Sequence, residues 1–197
     1  MGIMSMVVMG YWSIHDFVKR GAKDVPTFCG WNTLENLIKS ADQPIVAGLM
    51  ATLFQTGCRV SECLSLRTEM FQVNGERVRI YGAPVLKKGK KADPRDKIRN
   101  ITMPITEPLV PYMLEWVRQR EGDKLFPYGR KWAYARIKKV DPAWWPHRFR
   151  AERASQLVIE YGFRVPQLMQ WFNWSEPKVP TQYVRLDVSD LEAAMIR

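Results

Sequence analysis

Cysteine and histidine are both scarce in this chain: Cys29, Cys58 and Cys63 are the only thiols among 197 residues, and His15 and His147 the only imidazoles. An odd, irregularly spaced cysteine set does not build a disulfide framework. With no paired cysteine motif there is also little from which to make a structural zinc site. A reducing, intracellular (cytoplasmic) setting follows as the expectation. Long apolar runs are missing too. The first twelve residues are apolar but too few to span a bilayer, and they lack the basic start of a signal peptide. Met6 stands where N-myristoylation needs Ser or Thr. There is no internal repeat and no low-complexity stretch. Acidic side chains are outnumbered, 20 against 30 basic ones, for a formal charge of +10. A balance this basic points to a polyanionic partner, most often nucleic acid.

The length suits one compact domain, or one domain with a short appendage. Residues 1–26 read as a separate preamble that closes on a polar stretch and Pro26. Asn32 or Thr33 can cap a helix over Leu34, Leu37 and Ile38. A second helix, about Ile45 to Gln55, is apolar nearly all round and should be buried, with Thr56-Gly57 as its stop. Ser61 to Arg67 reads as a short helix. Val73 to Tyr81, with a turn at Asn74-Gly75, and Ile98 to Ile105 alternate like strands and predict an antiparallel hairpin with a basic tip over 87–97. Further helices are expected over Leu109–Arg120, Lys131–Lys139, Pro146–Tyr161 with Gly162 as its stop, Val165–Phe172, and from Ser189 to the end. The fold class is therefore α+β, mostly α-helical, with a small antiparallel β-sheet.

Three clusters can carry chemistry. In Thr56-Gly57-Cys58-Arg59-Val60-Ser61-Glu62, the arginine sits at a helix start, where backbone N–H groups favour an anion, and Glu62 is spaced to orient its guanidinium. In Pro146-His147-Arg148-Phe149-Arg150, His147 and Arg150 share one helical face and pair a proton-transfer group with a fork for phosphate oxygens. Trp174, an N–H donor, precedes by nine residues Tyr183, whose hydroxyl can act as a nucleophile. Taken singly, each is more often a packing residue than a functional one.

Their order changes the weighing. The chain resembles the tyrosine recombinases of the phage-integrase family. Residues 56–62 match every fixed position of that family's Thr-Gly-x-Arg-x-Ser-Glu box. His147 to Arg150 matches its His-x-Leu-Arg box with Phe149 in the Leu place, and Trp174 and Tyr183 follow at the family spacing. The departures are Cys58 for the usual Leu, Trp174 for the commoner His, and a longer hairpin. The resemblance covers about residues 27–197 and implies the DNA breaking-rejoining catalytic domain fold. It leaves residues 1–26 as a linker or the remnant of a core-binding domain.

The resemblance implies that Tyr183 attacks a DNA phosphodiester, forms a 3′-phosphotyrosine and releases a 5′-hydroxyl, with no metal, nucleotide or other cofactor. Arg59 and Arg150 would clamp the phosphate. Lys88, directly before Gly89, is the first choice for the general acid, with Lys87 next and Lys90 third, and Lys87 and Lys90 are otherwise expected on the DNA. His147 would move a proton or hold the phosphate, Trp174 would donate to it, and Glu62 would orient its neighbours. The guanidiniums are expected to favour the Tyr183 phenolate. Lys131, Arg136, Lys138 and Lys139, interleaved with Trp132 and Tyr134, together with Arg148, form a candidate DNA-contacting surface. Partners implied are double-stranded DNA at specific sites and further copies of the chain in a tetramer. A type IB topoisomerase and a non-catalytic DNA-binding relative remain as alternatives.

Overall fold

The computed structural model describes residues 28–86 and 98–184. Among the described residues, six helices and a one-turn helix accompany a small sheet. Helix α1 (Trp31–Lys39) leads into α2 (Pro44–Thr56), and a single turn, α3 (Val60–Cys63), follows at once. Strands β1 (Phe71–Asn74), β2 (Arg77–Pro84) and β3 (Ile98–Pro104) form an antiparallel sheet in chain order. The C-terminal half is α4 (Val110–Gln119), α5 (Arg130–Val140), α6 (Pro146–Tyr161) and α7 (Val165–Phe172), ending in a short turn at Pro180–Gln182. Among the described residues no helix is long and apolar enough to cross a membrane.

Helix α2 is the central post. Every residue from Leu49 to Thr56 is buried, as its all-round apolar pattern requires. It ends at Gly57, whose φ of 60° is the left-handed conformation that glycine adopts without strain. Gly57 is constrained in space as well. A Cβ there would lie 2.3 Å from Cε1 of the buried Phe172 ring. We expect Gly57→Ala to destabilise the fold by about 2 kcal/mol or more, through backbone strain and overpacking together. Urea denaturation of the two proteins measures it directly.

Some boundaries differ from the sequence reading. Helix α1 starts one residue before Asn32, at Trp31, with Gly30 as its cap and no side-chain cap bond. Packing of Trp31 against Phe28 and Phe54 holds that first turn. Helix α3 stops at Cys63 instead of running to Arg67. The expected hairpin is a three-stranded sheet, because the Gly75-Glu76 turn separates β1 from β2, with Asn74 opposite Arg77. The loop over 87–97 and the helix expected from Ser189 lie outside the described residues.

The core has two parts. The larger contains α2 and the inward faces of the sheet, including Val78, Ile80, Ile101 and Met103. The smaller consists of Ala154, Leu157, Leu168 and Phe172, with Trp174 and Tyr183 packed against it. This second cluster helps to position the segment after α7, because Trp174 and Tyr183 pack against it.

Candidate active site

Arg150 is the centre of the site. It lies on the first turns of α6, is only 2% exposed, and donates to the carbonyls of Gly57 and Phe172. Those carbonyls belong to the helix ends of α2 and α7, where the last C=O groups lack intrahelical partners. One planar fork thus ties three elements together, a geometry that lysine cannot reproduce. Its guanidinium carbon also lies 4.7 Å from the Phe172 ring centre and 5.3 Å from that of Trp174.

The aromatic residues form a stack. Phe172 and Trp174 are 4.5 Å apart between ring centres, and Trp174 and Tyr183 are 5.8 Å apart with planes inclined by only 10°. Tyr183 is therefore one ring removed from the Arg150 guanidinium. Burial pushes its phenol above the ordinary tyrosine value, while Arg150 pulls the other way with the smaller effect. This corrects the expectation from sequence that the arginines favour the phenolate. The ring is packed in apolar surroundings, and desolvation of an anion outweighs the attraction of the cation. Tyr183 is a protonated phenol at neutral pH and must give up its proton during any attack.

Arg59 occupies the N-cap of α3. Its guanidinium donates to Glu62 Oε1 at 3.0 Å, as the spacing implied, and its backbone N–H donates to Glu62 Oε2 at 2.8 Å. The reciprocal backbone bond is the capping arrangement of a glutamate three residues into a helix. Glu62 is buried, whereas the Arg59 side chain is 41% exposed and so presents its charge to solvent. His147, on the same face of α6 as Arg150, sits between the two arginines electrostatically. Desolvation, then Arg150, then Arg59 lower its pKa from the ordinary 6.5, so the imidazole is neutral at pH 7. Burial, with Arg99 and Arg59 as like-charged neighbours, pushes Arg150 down to about 9, which still leaves it protonated at pH 7.

The structure thus brings Arg59, His147, Arg150, Trp174, Tyr183 and Glu62 to one place. Lys87, Lys88 and Lys90 lie outside the described residues. The basic surface on α5 is separate and partly engaged internally. Lys139 pairs with Asp42 at 2.7 Å. Lys138 donates to the Pro142 carbonyl and lies over the Trp145 ring. Lys131 is exposed and Arg136 half-buried, with Trp132 stacked on Tyr128 at 4.1 Å. Arg148 points away from Arg150: it packs over Trp144, pairs with Glu152 at 3.4 Å and donates to the Ala143 carbonyl.

Sequence reasoning missed Arg99. It is 7% exposed on β3 and donates to the Thr56 and Trp171 carbonyls and to Cys58 Sγ, with Glu62 at 3.9 Å. The signal was the strand phase. Ile101 and Met103 face inward, so Arg99 does too, and it is Ile98, 53% exposed, that is out of step.

The model of the phage integrase family matches residues 32–189. The chain belongs to the phage integrase family. No curated protein sequence matches it. Solved structures of the family share its fold. The XerH site-specific recombinase in a pre-cleavage complex with its difH substrate is 19% identical, with a TM-score of 0.64 over 89% of this chain and 55% of that one. The Tn1549 transposon integrase in complex with circular intermediate DNA is 14% identical, with a TM-score of 0.62 over 87% of this chain and 67% of that one. The catalytic domain of bacteriophage HP1 integrase is 18% identical, with a TM-score of 0.56 over 86% of this chain and 94% of that domain. The family member described here spans about half the length of the XerH recombinase.

Proposed function

We propose that this integrase-family chain is a site-specific DNA recombinase that cleaves and rejoins duplex DNA through a 3′-phosphotyrosyl bond on Tyr183. The observation that carries the reading is the gathering of Tyr183, His147 and Arg59 about Arg150, with Glu62 the carboxylate that faces the arginines, which leaves a surplus of positive charge where a phosphate can sit. XerH and the Tn1549 integrase are both seen bound to DNA, which supports DNA as the partner here.

The chemistry follows from the side chains. The Tyr183 oxygen attacks phosphorus, the bond to the 5′-oxygen breaks, and the ester to Tyr183 retains the energy for rejoining. The phenolic proton needs an acceptor, and His147, neutral at pH 7, is suited to take it. Negative charge that develops on the non-bridging oxygens meets Arg59 and Arg150, and the Trp174 indole N–H is the third donor. A lysine of the hairpin, Lys88 by its place before Gly89, would protonate the leaving 5′-oxygen. No step in this scheme calls for a metal ion or a nucleotide. Residues 27–197 are the catalytic domain on this reading, residues 1–26 its linker or the remnant of a core-binding domain, and the working assembly is a tetramer on two DNA sites inside the cell. Lys87, Lys90, Lys131, Arg136, Lys138, Lys139 and Arg148 would contact the phosphate backbone.

The test is incubation with a pool of nicked duplexes of randomised sequence, whose short cleaved strand diffuses away and prevents rejoining, in buffer containing EDTA. A denaturation-resistant adduct is expected, with the DNA 3′ end mapped by mass spectrometry to the peptide containing Tyr183. Binding to the same duplexes should weaken steeply with salt as several phosphates are neutralised. An adduct on another residue, or no adduct together with salt-independent binding, would overturn the proposal.

A further inference from the structure

Arg99 is expensive to bury. It occupies an inward strand position in line with Ile101 and Met103, where an apolar side chain would extend the core. A lone guanidinium taken out of water is costly unless it is paired and hydrogen-bonded. The alternation of β3 places it there, and a bulge adapts the partner strand: between Ile80 and Ala83, β2 carries one residue more than β3, so Ala83 rather than Gly82 faces Arg99. Gly82 takes the positive φ of 66° that this requires, and its N–H donates to Asn100 Oδ1 at 3.0 Å.

Among the described residues, none of the partners of the Arg99 side chain belongs to the sheet. One branch reaches the site's first box, through the Thr56 carbonyl at 3.3 Å, Cys58 Sγ at 2.9 Å and the Glu62 carboxylate. The other reaches the Trp171 carbonyl on the last turn of α7, three residues before Trp174. Arg99 also stands close enough to Arg150 to repel it. A bond serving stability alone gains nothing from a like charge set there.

We propose that Arg99 is a positioning residue for the DNA-cleavage reaction: its fork locks the turn bearing Arg59 and Glu62 to the end of α7 that carries Trp174 and Tyr183. The assignment rests on the function proposed above. It gives two segments more than a hundred residues apart in the chain a second tie, beside the Arg150 fork and the contact of Phe172 with Gly57. Glu62 then serves two arginines at once, orienting Arg59 at 3.0 Å on its exposed side and Arg99 at 3.9 Å on its buried side. The remaining positive charge of the trio is left for the phosphate.

The experiment compares Arg99→Lys and Arg99→Met with the wild-type chain on nicked duplexes, measuring duplex affinity and the single-turnover rate of adduct formation per folded molecule. Lysine keeps the charge but cannot bond to both sides. Cleavage should slow about 10-fold with lysine and towards about 100-fold with methionine, the range typical of residues that orient catalytic groups, while duplex affinity holds. In a Glu62→Gln background the same substitutions should cost much less, because the two residues act through one link. If the methionine variant does not fold, the lysine variant and its Glu62→Gln cycle decide alone. Wild-type cleavage rates in the lysine variant, a loss confined to affinity, or a full loss in the Glu62→Gln background would each overturn the assignment. A wild-type chain that forms no adduct on Tyr183 overturns it together with the function it rests on.

Discussion

Tyr183→Phe is expected to abolish the covalent protein–DNA adduct while leaving duplex affinity essentially intact. The substitution removes one oxygen and nothing else. The ring remains stacked on Trp174 and packed on the small cluster of Leu157, Leu168 and Phe172, so the local fold has no reason to change. Without the hydroxyl there is no atom to form the phosphoester, and no neighbouring group can replace it. The outcome is read by denaturing electrophoresis of the nicked-duplex reaction alongside a binding titration. A stable adduct in the phenylalanine variant would assign the nucleophile elsewhere. A large loss of affinity would mean that the phenol binds DNA in the ground state and does not act as a nucleophile only.

Arg150→Lys carries the second large effect. Arg150 faces two ways: it bonds the Gly57 and Phe172 carbonyls, and it stands one ring from Tyr183. Lysine retains a charge but offers a single point, so it cannot hold both carbonyls and meet a phosphate in the same geometry. An orphaned buried carbonyl costs about 1–3 kcal/mol, so some loss of stability accompanies the change. The larger effect falls on the reaction. Removal of a preorganised cationic donor at a charge-developing centre costs on the order of 10³-fold in rate. Single-turnover cleavage measured at a temperature where both proteins are folded separates the two contributions. If the lysine variant cleaves at the wild-type rate, Arg150 is a structural clamp and the phosphate is held by Arg59 without it.

The two predictions depend on the same physical feature. A half-buried phenol next to a buried guanidinium is pulled in opposite directions, and burial wins at Tyr183. On the proposed mechanism Tyr183 therefore stays a neutral phenol until a phosphate and a proton acceptor are both present. His147, kept neutral by burial and then by the charges of Arg150 and Arg59, has the protonation state that such an acceptor requires.

Much of this was legible in the chain itself, and the reasons are local. Helix α6 runs over Pro146–Tyr161 as read, because Pro146 suits a first turn and Gly162 can take the left-handed φ of 64° that ends it. Helix α2 was recognisable from apolar residues on every side, and its stop from Gly57. The Arg59–Glu62 pair follows from a three-residue helical spacing, and the order of the three boxes pointed to the family that the matched residues 32–189 confirm. The start of α1 was not legible, since no side-chain cap marks it and aromatic packing holds it. Arg99 was missed because a charged residue at an inward strand position is explained only by its partners, which lie 41, 43 and 72 positions away.

The residue types, their order and their short-range spacing therefore specified which groups could do chemistry and on which helices they stand, since periodicity and capping act over a few neighbours. What those groups are like in place was decided by tertiary packing: the protonated Tyr183, the neutral His147, the inward turn of Arg150 and the bridge through Arg99. Burial and the field of distant charges set these properties, and both arise only when segments far apart in the chain are brought together.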